Sequence, residues 1–272
     1  MFNLSISTGK IPQKWKISSV VPIPKTPTNS TDPYKYRPIS LLSVVSKLLE
    51  KHIYALLLQH LIENSLLSES QWGFTSGKST VTALLSTFHN ILQLLESGYD
   101  VSLIFFDLKK AFDSVPHLPL LNKLKEIGVN QHILQWITSY LYERKQNVVV
   151  DGASSVPVPV LSGVPQGSVL GPLLFLTYIN QVTALNLSEG THMAVYADDI
   201  LLYKPITCTE DPHSLSSLVA EMHAACSHSS HNGLHSQSTL HINGLSALFI
   251  QLDQVNLKWH NFSELGRTNY AI

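Results

Sequence analysis

A chain of 272 residues with 44% hydrophobic content can bury one large core or two small ones, which excludes disorder as the default state. Its 18 Lys and Arg against 19 Asp and Glu leave a formal net charge of -1, so the total lacks the basic surplus expected of a nucleic-acid binder. Two cysteines, Cys208 and Cys226, exclude a disulfide scaffold, and the absence of a signal peptide or long apolar span predicts an intracellular protein, nuclear or cytoplasmic, away from the membrane.

The first forty residues contain Pro12, Pro22, Pro24, Pro27, Pro33 and Pro38 and read as extended segments and turns. From residue 40 to 63, Leu41, Val44, Val45, Leu48, Leu49, Ile53, Leu56, Leu57 and Leu61 recur at steps of three and four, which predicts a long amphipathic helix. A second helix is predicted over 81–95, stopping near Gly98. Residues 101–106 form an apolar run of strand length that ends at Asp107. Asp113-Ser114 followed by Pro116 marks the start of another helix, with Asp113 as the expected N-cap and Gly128 as the C-terminal stop. A further helix over 132–143 leads into a hairpin, 147–150 and 156–161, turning at Asp151-Gly152. Residues 193–196 and 200–203 are short strands around Ala197-Asp198-Asp199, a hairpin with two carboxylates at its tip. Beyond Lys204 the periodicity fades, and Ser, His, Asn and Gln crowd residues 207–238.

Charge divides unevenly along this order. Residues 1–150 hold 15 Lys and Arg against 10 Asp and Glu, a balance of +5, whereas residues 151–272 hold 3 against 9, a balance of -6. The basic half could meet phosphates, although a solvated lysine-bearing surface is the commoner meaning of such a count. In the acidic half, Asp198 and Asp199 would converge with Asp107 if their strands were neighbours in one sheet. An oxygen-only donor set of that kind suits Mg²⁺, and two such ions about 3.5–4 Å apart can clamp the attacking and leaving oxygens of a phosphoryl transfer. A turn or cap is the ordinary role of a single acid at such a position.

Two other patterns are set aside. Residues 73–80 look like a phosphate-binding loop but are one residue short between the glycines and follow no apolar strand. Cys208, His213, Cys226, His228, His231 and His235 lack the spacing of a zinc finger.

Several separate blocks resemble, in order and spacing, the reverse transcriptase domain of LINE-type non-LTR retrotransposons. They are Ile11-Pro12-Gln13-Lys14-Trp15-Lys16 and Val21-Pro22-Ile23-Pro24-Lys25; Tyr36-Arg37-Pro38-Ile39-Ser40-Leu41-Leu42 with Ser46-Lys47-Leu48-Leu49-Glu50-Lys51; Gln71-Trp72-Gly73-Phe74 with Ser79-Thr80; Phe106-Asp107-Leu108-Lys109-Lys110-Ala111-Phe112-Asp113; Gly163-Val164-Pro165-Gln166-Gly167-Ser168-Val169-Leu170-Gly171-Pro172; and Tyr196-Ala197-Asp198-Asp199. The resemblance implies an α+β right-hand polymerase, with fingers and an antiparallel palm sheet packed on helices, over residues 1–204. It implies that Asp107, Asp198 and Asp199 are catalytic and, with the backbone carbonyl of Leu108, hold two Mg²⁺ ions, Mn²⁺ being an alternative metal. Phe112 would be the wall that excludes a ribose 2′-OH, Gln166 and Gly167 would border the incoming nucleotide, and Lys25 and Arg37 would hold its triphosphate from the fingers. A plain surface role fits Lys25 as well. The implied reaction is attack of a primer 3′-OH on a deoxynucleoside triphosphate, with RNA template and DNA primer as partners.

The resemblance fails after residue 204. Leu240-His241-Ile242-Asn243 is similar to the next family motif, but the lysine expected soon after Asn243 is missing, as is the primer-gripping hairpin, and Leu257-Lys258-Trp259-His260 matches only a fragment of the block beyond. Residues 205–272 therefore read as a degenerate end of the palm, polar and His-rich, without a complete thumb, and no endonuclease segment is expected before Met1. The alternative reading is an inactive, truncated copy that at most binds nucleic acid.

Overall fold

The computed structural model describes residues 1–27, 30–108, 110–185, 187–206, 245–252 and 257–261, the last two ranges through their backbone. Lys109, the Leu240–Asn243 block and the cluster of Cys208, His213, Cys226, His228, His231 and His235 lie outside the described residues. In chain order the elements are α1 (Phe2–Thr8), β1 (Ile17–Pro24), β2 (Tyr36–Leu41), α2 (Val44–Glu63), α3 (Thr80–Glu96), β3 (Asp100–Leu108) and α4 (Ala111–Ser114). They continue with α5 (His117–Glu126), α6 (Gln131–Leu141), β4 (Lys145–Val150), β5 (Ala153–Ser154), β6 (Val158–Pro159), α7 (Gly171–Ile179), β7 (His192–Tyr196), β8 (Asp199–Ile206), β9 (Leu245–Leu252) and β10 (Leu257–Asn261). Among the described residues no helix is long and apolar enough to cross a membrane.

The elements sort into two compact units, each built from two stretches of chain. The first comprises residues 1–67 and 110–178, the second residues 68–109 and 179–272. In the first, β1 pairs antiparallel with β2, from Ser19 opposite Leu41 to Pro24 opposite Tyr36, and parallel with β4. β4 folds back on β5 through Asp151 and Gly152, both at positive φ (49° and 80°), the backbone a tight two-residue hairpin turn requires. Helix α2 buries Leu49, Ile53, Leu57 and Leu61 completely or nearly so, each four residues from the next, and the core of this unit also holds Leu120, Leu124, Trp136, Ile137, Tyr140 and Leu174. Gly128, at φ +78°, ends α5 with Val129 N donating to Leu124 O, as its position in the sequence predicts.

Three expectations in this unit are corrected. The helix predicted from residue 40 begins only at Val44, because Ser40 and Leu41 are taken into the β1–β2 ladder, whose hydrogen bonds override the apolar spacing. Asp113 is not an N-cap: Pro116 occupies that position for α5 without any side-chain cap, and Asp113 lies in the one-turn helix α4. The helix predicted to Glu143 stops at Leu141, and Glu143 sits at φ +58°, outside helical backbone.

In the second unit all strand pairs are antiparallel, in the order β10-β9-β3-β8-β7. Helix α3, opened by a capping box between Ser79 and Thr82, places Ile91 in a buried cluster with Val101 and Leu103 of β3 and Tyr203 of β8, flanked by Leu94 and Leu95. β9 and β10 lie in the stretch where the sequence pattern fades; β9 pairs with β3 from Val101 opposite Leu252 to Leu108 opposite Leu245.

Candidate active site

β3 is buried along most of its length, and this apolar run gives way at its end to the exposed Asp107. Its neighbour β8 runs antiparallel, with Phe106 opposite Ile200. Asp107 and Asp199 are the next positions outward on the two strands, so the register alone brings them to one end of the sheet. β7 and β8 close at Tyr196 opposite Asp199, leaving Ala197-Asp198 as a two-residue loop. Of these two residues only Ala197 has positive φ (57°), the pattern of a type II′ turn, in which glycine is the usual first residue. An alanine there costs about 1–2 kcal/mol of backbone strain. Asp198 thus occupies the tip, half-buried, while Asp199 is the first residue of β8 rather than part of the tip.

The electrostatics match this geometry. Partial burial, then the charges of Asp198 and Asp107, push the Asp199 carboxyl above the ordinary aspartate range. Asp107 and Asp198 therefore each lie close enough to Asp199 to repel its charge. Among the described residues no group of three or more His, Cys, Asp or Glu side chains is gathered tightly enough to chelate a metal alone. This donor set fits Mg²⁺, which is ordinarily held by one or two carboxylates and completes its shell with water and substrate phosphate. Leu108, whose carbonyl the family resemblance implies as a further ligand, is buried at the end of β3 opposite Leu245.

The other expected residues belong to the first unit. Gln166 Nε2 donates to Asp113 Oδ1 at 2.9 Å, and Gln166 O accepts from Ser40 N at 2.7 Å. Burial raises the Asp113 pKa, against the lowering effects of the Gln166 hydrogen bond and the Lys110 charge. Gly167, at φ +97°, passes so close to β2 that an added Cβ would lie 2.9 Å from Ser40 O. Gln166, Asp113, Lys110, Ser40 and Arg144 line a cleft of about 480 Å³. Phe112 is half-buried and stacks on Phe175, with ring centroids 4.6 Å apart, which fixes the plane of its ring. Lys25 and Arg37 are exposed at the loop end of the β1–β2 hairpin; they do not line that cleft.

Two residues quoted within sequence blocks, but given no role there, prove central. Glu50, fully buried, accepts from the backbone N–H groups of Val169 (2.9 Å) and Leu170 (3.4 Å), in the loop that follows Gln166 and Gly167. Gln71, also fully buried, accepts from Gly73 N (2.8 Å) and Ala197 N (3.1 Å). The signal the sequence carries for them is a polar side chain inside a motif block; their burial is seen only in the structure. The loop that looked like a phosphate-binding loop has a structural use: Ser79 caps α3, and the Lys78 ammonium donates to Glu69 O and Gln71 O.

Residues 23–237 match the family described as reverse transcriptase (RNA-dependent DNA polymerase). The chain is 34% identical over 232 residues to the probable RNA-directed DNA polymerase from transposon BS of Drosophila melanogaster, covering 83% of this chain and 26% of that protein. It is 35% identical over 205 residues to the RNA-directed DNA polymerase from mobile element jockey of the same species, covering 73% and 22%. It thus spans about a quarter of the length of these relatives. Apo telomerase from Candida tropicalis, truncated from its C-terminal domain, shares the fold with a TM-score of 0.54 at 13% identity, over 92% of this chain and 56% of that one. The telomerase of Candida albicans in complex with a fragment of telomeric RNA gives a TM-score of 0.53 at 14% identity, over 95% and 49%. The motif blocks, the carboxylates drawn together by the β3–β8 register and these similarities lead to one conclusion: the chain belongs to the reverse transcriptase family, in the form carried by LINE-type retrotransposons, and has the right-hand polymerase fold.

Proposed function

We propose that this chain is the nucleotidyl-transfer core of an RNA-directed DNA polymerase, extending a DNA primer on an RNA template with deoxynucleoside triphosphates. The observation that supports it most directly is the β3–β8 register, which brings Asp107 to the sheet end that holds Asp199, next to the turn of Asp198; there partial burial, then the charges of Asp198 and Asp107, raise the Asp199 pKa. In the second unit these three carboxylates, with the Leu108 carbonyl, would hold two Mg²⁺ ions, for which Mn²⁺ could substitute. When bound, the metal pair supplies Lewis-acid stabilisation of charge on the reacting phosphate. The residues themselves contribute position: a rigid sheet end and a two-residue turn keep the acids in place before substrate arrives. In the first unit, Gln166 and Gly167 would border the nucleotide, Phe112 would present its fixed ring to the sugar, and the exposed Lys25 and Arg37 would meet the triphosphate. Residues 1–204 would form fingers and palm on this reading.

The test is extension of a DNA primer annealed to RNA by the full chain with Mg²⁺ and deoxynucleotides. Asp198→Ala should reduce extension by on the order of 100-fold or more, and equal extension by both proteins would overturn the assignment. A second reading, a chain that binds nucleic acid without extending it, is favoured by one observation: after residue 204 the only basic residues are Lys258 and Arg267. Salt-dependent RNA binding with no extension under any metal would select it.

A further inference from the structure

The turn that carries Asp198 is strained, and the first loop residue of a two-residue hairpin has no ladder partner for its N–H. The second unit supplies one from a distant part of the chain. Residues 70–73 run parallel beside β7, with Trp72 N donating to Val195 O (2.7 Å) and Val195 N to Ser70 O (2.9 Å). From this segment Gln71 Oε1 reaches Ala197 N while also accepting from Gly73 N. Both partners are donors, so the orientation of the amide is determined: oxygen toward the turn, nitrogen away. Nε2 is then buried without a hydrogen-bond partner among the described residues.

That pattern argues against a generic packing role. A leucine or methionine would fill the same volume without burying an unpaired NH₂ group, whose desolvation is unfavourable. What Gln71 adds is an acceptor for the strained alanine. The surroundings reinforce it: Lys78 Nζ donates to Gln71 O at 2.9 Å, and at Gly73 any Cβ would collide with the backbone nitrogen of Ala197 and lie 3.0 Å from its Cα. An amide also accepts without adding negative charge beside Asp107, Asp198 and Asp199, as a glutamate would.

We propose that Gln71 is a positioning residue for the metal-binding turn: by holding the Ala197 amide it fixes the backbone that aims the Asp198 carboxylate. This rests on the assignment of Asp198 as a metal-binding carboxylate. The test compares the full wild-type chain with Gln71→Met, Asp198→Ala and, as a stability control in the same unit, Asn90→Ala, which removes the hydrogen bond from Asn90 to the Tyr203 hydroxyl. Hydrogen exchange at the Ala197 amide and binding of Mn²⁺ alone, followed by electron paramagnetic resonance, are the two readouts.

Gln71→Met should accelerate Ala197 exchange and weaken Mn²⁺ binding, each by about 10-fold, the loss expected for one hydrogen bond. Asn90→Ala should lower the melting temperature and leave both readouts unchanged. Should Gln71→Met fail to fold, Gln71→Asn, whose amide falls one methylene short of Ala197, carries the same expectations. Unchanged Ala197 exchange, unchanged Mn²⁺ affinity, or an equal effect of Asn90→Ala would overturn the proposal. If wild type and Asp198→Ala are alike in failing to bind Mn²⁺, the carboxylate assignment falls and the positioning role with it; faster Ala197 exchange in Gln71→Met would then mark a purely structural clamp.

Discussion

Each unit holds a candidate-site loop with the same device, a fully buried side-chain oxygen accepting from two backbone N–H groups, yet the two oxygens differ in kind. In the first unit the acceptor is Glu50, bound to Val169 N and Leu170 N, with its other oxygen accepting from Ser46 Oγ. In the second it is Gln71, bound to Gly73 N and Ala197 N. The surrounding field explains the difference. Val169 and Leu170 immediately precede α7, where unpaired N–H groups and the helix dipole favour negative charge. The Ala197 turn carries Asp198 and faces the repulsion already felt by Asp199, so a neutral acceptor is the one that fits. Burial, and then Glu50, also push the Tyr140 phenol above its ordinary range, so the carboxylate shapes its neighbours as well as the loop.

The comparison can be broken most forcefully at Glu50. Glu50→Leu leaves two loop N–H groups without their acceptor and should cost about 3 kcal/mol or more, read as a fall in the denaturation midpoint. Gly73→Ala should follow at about 2 kcal/mol, because the new methyl meets backbone at Ala197. Gly77→Ala, with positive φ but nothing within 4 Å, should cost only about 1 kcal/mol. Primer extension should fall with Gly73→Ala and not with Gly77→Ala.

Smaller effects depend on pH. His117 is buried in the first unit, and its ring Nε2–H donates to Gly163 O at 2.8 Å. Burial lowers its pKa below the usual 6.5, outweighing the hydrogen bond to Gly163. The unfolded chain therefore takes up this proton first, and stability should decline as pH falls below 6.5. Denaturation midpoints between pH 8 and 5.5 should show that decline, and His117→Gln should flatten it.

Asp199 has the opposite sign. Its raised pKa means that ionisation weakens the fold from about the ordinary aspartate value of 3.8 upward. Asp199→Asn should raise the unfolding free energy at pH 7, by less than ~1 kcal/mol for so exposed a group, with no gain at pH 3 and reduced extension. A variant that gains stability while losing activity would show the acidic end of the sheet to be strained for use.

Legibility in the sequence followed the range of the forces involved. β3, β7 and β8 were readable because an apolar run, an acid and a short turn are local signals. The start of α2 was misread because Leu41 fits a helical period while its backbone is claimed by β1, a partner about twenty residues earlier. Asp113 resembles a cap, yet its carboxylate is held by Gln166, 53 residues away. β9, Leu245–Leu252, is an apolar run of strand length like β3, but nothing local in the sequence names β3 as its partner.

By itself the sequence determined the family, the three acids and the motif blocks, because these are chemical identities written in short, ordered runs. Only the tertiary structure decided which buried polar side chains hold those blocks in shape. Gln71 and Ala197 are 126 residues apart, and a hydrogen bond between them exists only once β7 lies against the segment that carries the glutamine.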